Sequence, residues 1–342
     1  MKILVIGPAW VGDMVMTQSM LILLKEQHEQ VEIDVLAPEW TLPLLSRMPQ
    51  VSNSIVMPVG HGKLNLGLRR HLGKSLKEKC YDQAFVLPNS FKSALIPWFA
   101  EIPKRTGWRG EARGWLLNDC RSLVKEDYPL MVQRFDALVF PPDKVLPSDL
   151  PNPSLLADYT NKKELLKKLN LSSEAPVLAL CPGAEYGSSK QWPAEYFSQI
   201  ANTALENKQQ VWVFGSRNDL EISNQIENGI TQNLKSDFHN LAGKKGLGDA
   251  IDLLSLASAV VSNDSGLMHV AAALNRPLVV IYGSTSPDFT PPLGQKVNII
   301  QSAIECSPCF ERECPLLHHG CMRDADPQKI QAALDSFSGL AG

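Results

Sequence analysis

Short runs of β-branched and aliphatic residues recur roughly every 25 to 30 positions along this chain, with amphipathic helical patterns between them. In the first half they fall at 2–6, 32–37, 54–57 and 83–87, and in the second at 176–181, 210–214, 259–262 and 277–282. Continuous apolar strands alternating with helices fit a parallel sheet covered on both faces, because only a sheet buried on both sides tolerates apolar residues at successive positions. Residues 141–153 carry five prolines in thirteen positions. Proline removes a donor and fixes φ, so this segment cannot join a sheet interior and reads as a connection between domains. The expected fold is α/β, with two doubly wound Rossmann-like domains, 1–150 and 151–342, whose parallel sheets face a central cleft. In such sheets ligands bind beyond the carboxyl ends of the strands, so the loops there carry the functional argument.

Composition agrees. Of 342 residues, 44% are hydrophobic and 20% charged, which supplies two cores and excludes disordered, collagen-like and coiled-coil chains. No stretch reaches the eighteen or so uncharged apolar residues of a membrane span. The opening Met-Lys-Ile-Leu-Val-Ile-Gly lacks the features of a signal peptide and reads as a strand. The expectation is a soluble, cytoplasmic protein.

Net charge is −3 overall, but residues 60–113 hold eleven basic side chains against four acidic ones. A solvated lysine-rich helix over 74–79 is one reading of this excess. The sharper reading is a negatively charged partner against the N-terminal half. A near-neutral whole with one basic patch suits a small acidic ligand or a membrane surface, not a nucleic-acid duplex.

Three loops are candidates for chemistry. After the first strand, Gly7-Pro8-Ala9-Trp10-Val11-Gly12-Asp13-Met14 has the glycine spacing of a phosphate loop, but Asp13 stands where that motif needs lysine. A carboxylate there repels phosphate. The third glycine of a dinucleotide fingerprint is also missing, which disfavours nucleoside triphosphatases and nicotinamide enzymes. Asp13 remains as a general-base candidate. The structural alternative is that it only caps a helix starting at Met14.

The second loop, 182–193, offers small residues, the hydroxyls of Ser188 and Ser189, and the point charge of Lys190, all suited to an anion; an ordinary polar loop is the alternative. The third follows the strand at 259–262. Here Asp264 or Ser265 caps a helix, and Gly266 lets an anion approach the free amides. His269 lies one turn in and reads by default as a hydrogen-bonded structural group. Together these loops predict a diphosphate in the second domain, with the segment 283–288 lining the same pocket.

Four stretches also carry a family resemblance: 1–18, Leu87-Pro88-Asn89-Ser90-Phe91-Lys92-Ser93-Ala94, Arg105-Thr106-Gly107-Trp108-Arg109-Gly110, and 263–277. They resemble the heptosyltransferase II branch of glycosyltransferase family 9, over the chain from its start to about residue 300. The resemblance implies a GT-B fold and inverting transfer of L-glycero-D-manno-heptose from ADP-heptose to the first heptose of heptosyl-Kdo2-lipid A. That acceptor is made on the cytoplasmic face of the inner membrane of Gram-negative bacteria, so peripheral membrane contact is implied as well. Asp13 matches the family's base, Lys190 its donor-phosphate lysine, and Asp264, Ser265 and Gly266 its diphosphate signature. Asp219 or Glu221 is the implied partner of the ribose. Gly12, Lys92, Arg105 and Arg109 are the acceptor-side candidates, with a structural role open for the segment 105–108. Transfer implies no cofactor. The competing enzymes are a heptosyltransferase I acting on Kdo2-lipid A and a sugar-nucleotide 2-epimerase, and a non-enzymatic nucleotide-sugar-binding or redox-sensing module explains neither Asp13 nor the basic face.

Seven cysteines complete the inventory, four of them (Cys306, Cys309, Cys314 and Cys321) within sixteen residues that also contain His318 and His319. The ligand types suit a structural zinc, although the spacings depart from paired knuckles, and free thiols are the alternative. Either way a supporting role is expected.

Overall fold

The computed structural model describes residues 1–60, 62–142 and 144–338 of the chain, which divides into two compact units between Leu156 and Ala157. The division lies just past the proline-rich segment. Residues 154–156 still belong to the first unit because their backbone is tied to it. Gln18 accepts from the Ser154 amide at 2.9 Å and donates to its carbonyl at 2.6 Å, and the Leu156 amide donates to Arg47 at 2.9 Å.

The first unit holds a six-stranded parallel sheet of β1 (Lys2–Ile6), β2 (Glu32–Ala37), β3 (Asn53–Val56), β4 (Gln83–Val86), β5 (Lys104–Trp108) and β6 (Asp119–Arg121). Their order is β3-β2-β1-β4-β5-β6. The second unit repeats the pattern with β7 (Val177–Cys181), β8 (Gln210–Val213), β9 (Phe238–Asn240), β10 (Ala259–Asn263), β11 (Leu278–Tyr282) and β12 (Val297–Gln301), ordered β12-β11-β10-β7-β8-β9. Every pairing is parallel. The expected α/β, doubly wound class is what the chain forms.

In each sheet the chain starts at the centre, winds outward to one side, then returns to wind outward on the other. The reversal leaves a crevice at the carboxyl ends of two adjacent central strands, β1 beside β4 and β7 beside β10. These central strands are the apolar ones: Ile3, Leu4, Val5 and Ile6 in β1, and all of Val177–Cys181, are buried. The helix Val11–Gln27 covers the first sheet with Met14, Met16, Met20, Leu21 and Leu24, and Ala194–Glu206 covers the second with Phe197, Ile200, Ala201 and Leu205. Burial of such side chains contributes about 1.5–3 kcal/mol each, so the crevices rest on rigid supports.

Four strands lie outside the apolar runs of the sequence. β5 (KRTGW), β6 (DCR), β9 (FHN) and β12 (VNIIQ) lie toward the sheet edges, where shorter and more polar runs suffice. Among the described residues no helix is long and apolar enough to cross a membrane.

Candidate active site

At the second crevice the decisive residue is Asn263, the last of β10, which is completely buried. Its side-chain amide donates to the Pro182 carbonyl at 2.7 Å, and its oxygen accepts from the Trp192 amide at 3.2 Å. One amide therefore ties both ends of the loop after β7 to the end of β10, using a donor and an acceptor together. Asn263 opens the motif at 263–277, and its residue type alone gives no sign of this role.

Within that frame the two predicted anion loops meet. Lys190 closes the short 3₁₀ turn Ser188–Lys190, and its Nζ lies 2.5 Å from Oδ2 of the buried Asp264. The Thr285 hydroxyl donates to the same carboxylate oxygen at 2.6 Å, which brings the expected segment 283–288 into the pocket. Ser265, rather than Asp264, holds the N-cap position of the helix Gly266–Ala273, and no side chain caps its first amides. The Ser265 hydroxyl instead lies 3.3 Å from that of Ser262. The helix thus presents uncapped N–H groups beside a lysine, an arrangement that attracts phosphate through the partial positive charge of the helix terminus.

His269 is buried near both Asp264 and Lys190. Burial pushes its pKa down to about 4, against the opposing pull of Asp264. The imidazole is neutral at physiological pH, in keeping with a structural group. Ser188 is exposed, whereas Ser189 faces inward, donating to the Glu311 carbonyl at 2.5 Å and touching the Ser284 hydroxyl at 2.9 Å. Asp219 closes the turn Arg217–Asp219 after β8 and accepts from the Ser216 amide at 2.7 Å. Its carboxylate packs so closely on Gly183 that a Cβ there would come within 2.9 Å. Glu221 points from the exposed start of the next helix, 3.5 Å from Gln225.

At the first crevice Gly12 and Asp13 lie in the first turn of Val11–Gln27. The helix begins before Met14 and its cap position is Trp10, so Asp13 is not the cap. Among the described residues its carboxylate has no hydrogen-bond or ion-pair partner. Burial raises its pKa to about 6, outweighing the helix terminus, which favours the ionised form. A carboxylate poised there accepts a proton near neutral pH.

The basic patch divides in two. Arg113 is fully buried and donates to the carbonyls of Pro88, Ser90 and Trp108, to Ser93 and to Asn89 Oδ1. It shapes the loop after β4. Arg69 is spent on the carbonyls of Leu64 and Lys92, and Arg105 on those of Leu116 and Ile102. Two of the Arg105 guanidinium nitrogens are therefore committed to main-chain carbonyls, which fits the structural alternative for the segment 105–108. Lys92 is half-buried at the start of the helix Phe91–Phe99, and Arg109 is exposed after β5.

The cysteines Cys306, Cys309, Cys314 and Cys321 line one cavity with Ser189, Ser284, His318 and His319. Among the described residues, however, no three Cys, His, Asp or Glu side chains gather closely enough to hold one ion. The considered zinc arrangement is not formed. Cys321 is drawn into the hydrophobic core beside Met322, and at Cys314 desolvation, which raises the thiol pKa, is outweighed by the amides of residues 316–319, which hydrogen-bond the sulfur and lower it.

Comparison with known proteins settles the family. The sequence profile of glycosyltransferase family 9 (heptosyltransferase) matches residues 69–319. The chain belongs to glycosyltransferase family 9. This family 9 enzyme is 48% identical to lipopolysaccharide heptosyltransferase 2 of Salmonella typhimurium over the whole of both chains. It is 48% identical to the Escherichia coli protein of the same name over 98% of each. The solved structure of E. coli ADP-heptose LPS heptosyltransferase II, 46% identical, superimposes with a TM-score of 0.90 over 98% of both chains. The enzyme is a glycosyltransferase with the fold of those transferases, and the expectation drawn from the sequence motifs holds.

Proposed function

We propose that this glycosyltransferase moves L-glycero-D-manno-heptose from ADP-heptose to the first heptose of heptosyl-Kdo2-lipid A, with inversion at the anomeric carbon. The observation that carries the reading is full-length 48% identity to a lipopolysaccharide heptosyltransferase 2, in a chain whose second crevice pairs uncapped helix amides with Lys190. In this reading an acceptor hydroxyl attacks the anomeric carbon while the bond to the terminal phosphate oxygen breaks, and ADP departs with the electron pair. Asp13 takes the proton from the attacking hydroxyl. The amides at Ser265 and Gly266, with Lys190, receive the growing charge on the phosphate, where preorganised donors lower the barrier most. Asp264 and Thr285 face the sugar. Of the two ribose candidates, Asp219 suits the role better, because it stands beside Gly183 and Gly215 at the ends of β7 and β8. Lys92 and Arg109, with Gly12 beside Asp13, serve the acidic acceptor, and the enzyme meets the cytoplasmic face of the inner membrane peripherally. No cofactor beyond the donor takes part, and no nucleic acid is bound.

A transfer assay read by mass spectrometry tests this. The protein is incubated with ADP-heptose and either Kdo2-lipid A or its mono-heptosylated form. A gain of one heptose only on the mono-heptosylated acceptor is the expected result. A gain on the heptose-free acceptor would make it a first-heptose enzyme, and no gain on either would remove the acceptor assignment.

A further inference from the structure

The cysteine-rich segment is stitched to the phosphate loop residue by residue. The Tyr186 hydroxyl donates to the Phe310 carbonyl at 2.5 Å, the Ser189 hydroxyl to that of Glu311 at 2.5 Å, and the Ser189 amide to that of Arg312 at 3.1 Å. Phe310 is in turn held by its amide on the Ser284 carbonyl at 2.7 Å, and Ser307 by its hydroxyl on that of Gly283 at 2.8 Å. A Cβ on Gly187 would collide with the Arg312 carbonyl, so glycine there permits the close approach. Residues 310–312 are thus fixed against the loop that carries Lys190.

This fixation delivers a second cation. The Arg312 guanidinium lies 5.3 Å from the Tyr186 ring centroid, and Lys190 Nζ lies 4.8 Å from the same centroid. Two positive groups therefore share one ring at the edge of the crevice. Their situations differ. Lys190 is paired with Asp264, so the pair adds no net charge to the pocket. Arg312 is exposed and, among the described residues, has no carboxylate partner. A diphosphate that departs with growing negative charge needs more than one neutralised lysine and the partial charge of a helix terminus. A guanidinium also meets phosphate oxygens through two parallel hydrogen bonds.

We propose that Arg312 is a direct contact for the donor's diphosphate, brought to the phosphate loop by the cysteine-rich segment. The inference rests on the assignment of an ADP-sugar donor to this crevice. It also gives the cysteine cavity a purpose without a metal: packing beneath Ser189 and Ser284, it keeps residues 310–312 in place.

Calorimetric titration of the full-length protein with adenosine, AMP and ADP tests the proposal, using wild type, Arg312→Ala and Arg312→Lys. Because the segment is stitched through main-chain carbonyls, both variants keep those bonds and should melt at the wild-type temperature. ADP affinity should fall on the order of tenfold in Arg312→Ala, as expected for a lost charge-assisted hydrogen bond. Arg312→Lys should recover part of it, and adenosine affinity should stay unchanged in both. ADP affinity equal to wild type in Arg312→Ala would overturn the proposal alone. An equal loss for adenosine and ADP would overturn it too, showing a merely structural role. A wild-type protein that binds adenosine but gains nothing from the phosphates would overturn the donor assignment itself.

Discussion

Lys190 and Asp264 form an ion pair of 2.5 Å at the carboxyl ends of β7 and β10, and Thr285 donates to the same carboxylate oxygen. The lysine proposed to meet the donor phosphate is thus also held by a carboxylate. The pairing directs the ammonium, and a partly buried pair costs more when one member is removed than it contributes when whole.

Substitutions at these two residues should act in opposite directions on the nucleotide. Lys190→Ala removes the cation and leaves Asp264 repelling phosphate, so ADP affinity should drop at least severalfold. Asp264→Asn frees the ammonium and removes the repulsion, so ADP affinity should rise while transfer falls. Calorimetry with ADP, beside initial rates with ADP-heptose, checks both signs. A loss of ADP affinity in Asp264→Asn would show that the carboxylate positions the lysine more than it competes for it.

Asp13 predicts a pH profile. With its pKa raised to about 6 by burial, the carboxylate is an effective base only when deprotonated. The value of kcat/KM should therefore fall about tenfold per pH unit below 6 and level off above it. Asp13→Ala should keep ADP binding and lose about 10²-fold or more in turnover. A flat profile between pH 5 and 8 would remove Asp13 from the proton transfer.

The same shift carries a stability consequence. The folded-state pKa lies above the ordinary value of 3.8, so the folded chain holds the proton more tightly than the unfolded one. Its favourable contribution is complete below pH 3.8 and is lost as pH rises through 6. Asp13→Asn should therefore raise Tm at pH 8, by the equivalent of about 1 kcal/mol once solvent access to the half-buried group is allowed for. At pH 4 the gain should nearly vanish. Thermal melts of both proteins at the two pH values decide it.

Asn263 should be as important as any charged group. Asn263→Ala leaves the Pro182 carbonyl and the Trp192 amide without their partner in a dry interior, at a cost of about 2–4 kcal/mol. Because both belong to the loop that carries Lys190, KM for the donor should rise as well. Chemical denaturation and donor kinetics report the two effects separately.

The parts of this fold that were legible in the sequence are those where one kind of residue serves one purpose. Ile3–Ile6 and Val177–Cys181 are apolar throughout because a central parallel strand is covered on both faces, and glycine or aspartate follows where a crevice must open. The edge strands β9 and β12 escaped because an edge needs no such run, and Asp119-Cys120-Arg121 in β6 reads as a loop until β5 lies beside it. Lys190, Asp264 and Ser265 could be picked out singly by type, but not their pairing, which spans 74 positions from Lys190 to Asp264. The cysteines left two readings open for a related reason: spacing counts ligands, while only packing shows that Cys321 also belongs to the core. Phe310, Glu311 and Arg312 gave no signal, because they reach the phosphate loop through their carbonyls.

The basic patch shows the same limit and yields the last prediction. Eleven cations in 60–113 read as one surface for an acidic partner, yet Arg113 is buried under the loop Pro88–Ser93, where four groups accept from it, with the Trp108 carbonyl as a fifth acceptor. Burial lowers its pKa only to about 10, so it remains charged, and its worth lies in the carbonyls it satisfies. Arg113→Met should destabilise the protein by about 3–5 kcal/mol, the usual result of stranding several buried acceptors. Arg109→Ala, at an exposed position, should leave Tm within the equivalent of about 0.5 kcal/mol and raise KM for the acidic acceptor, less so at high salt. Thermal melts and acceptor kinetics at two salt concentrations separate a cation that folds the loop from one that binds the acceptor. An Arg113→Met protein as stable as wild type would place both arginines in the second group.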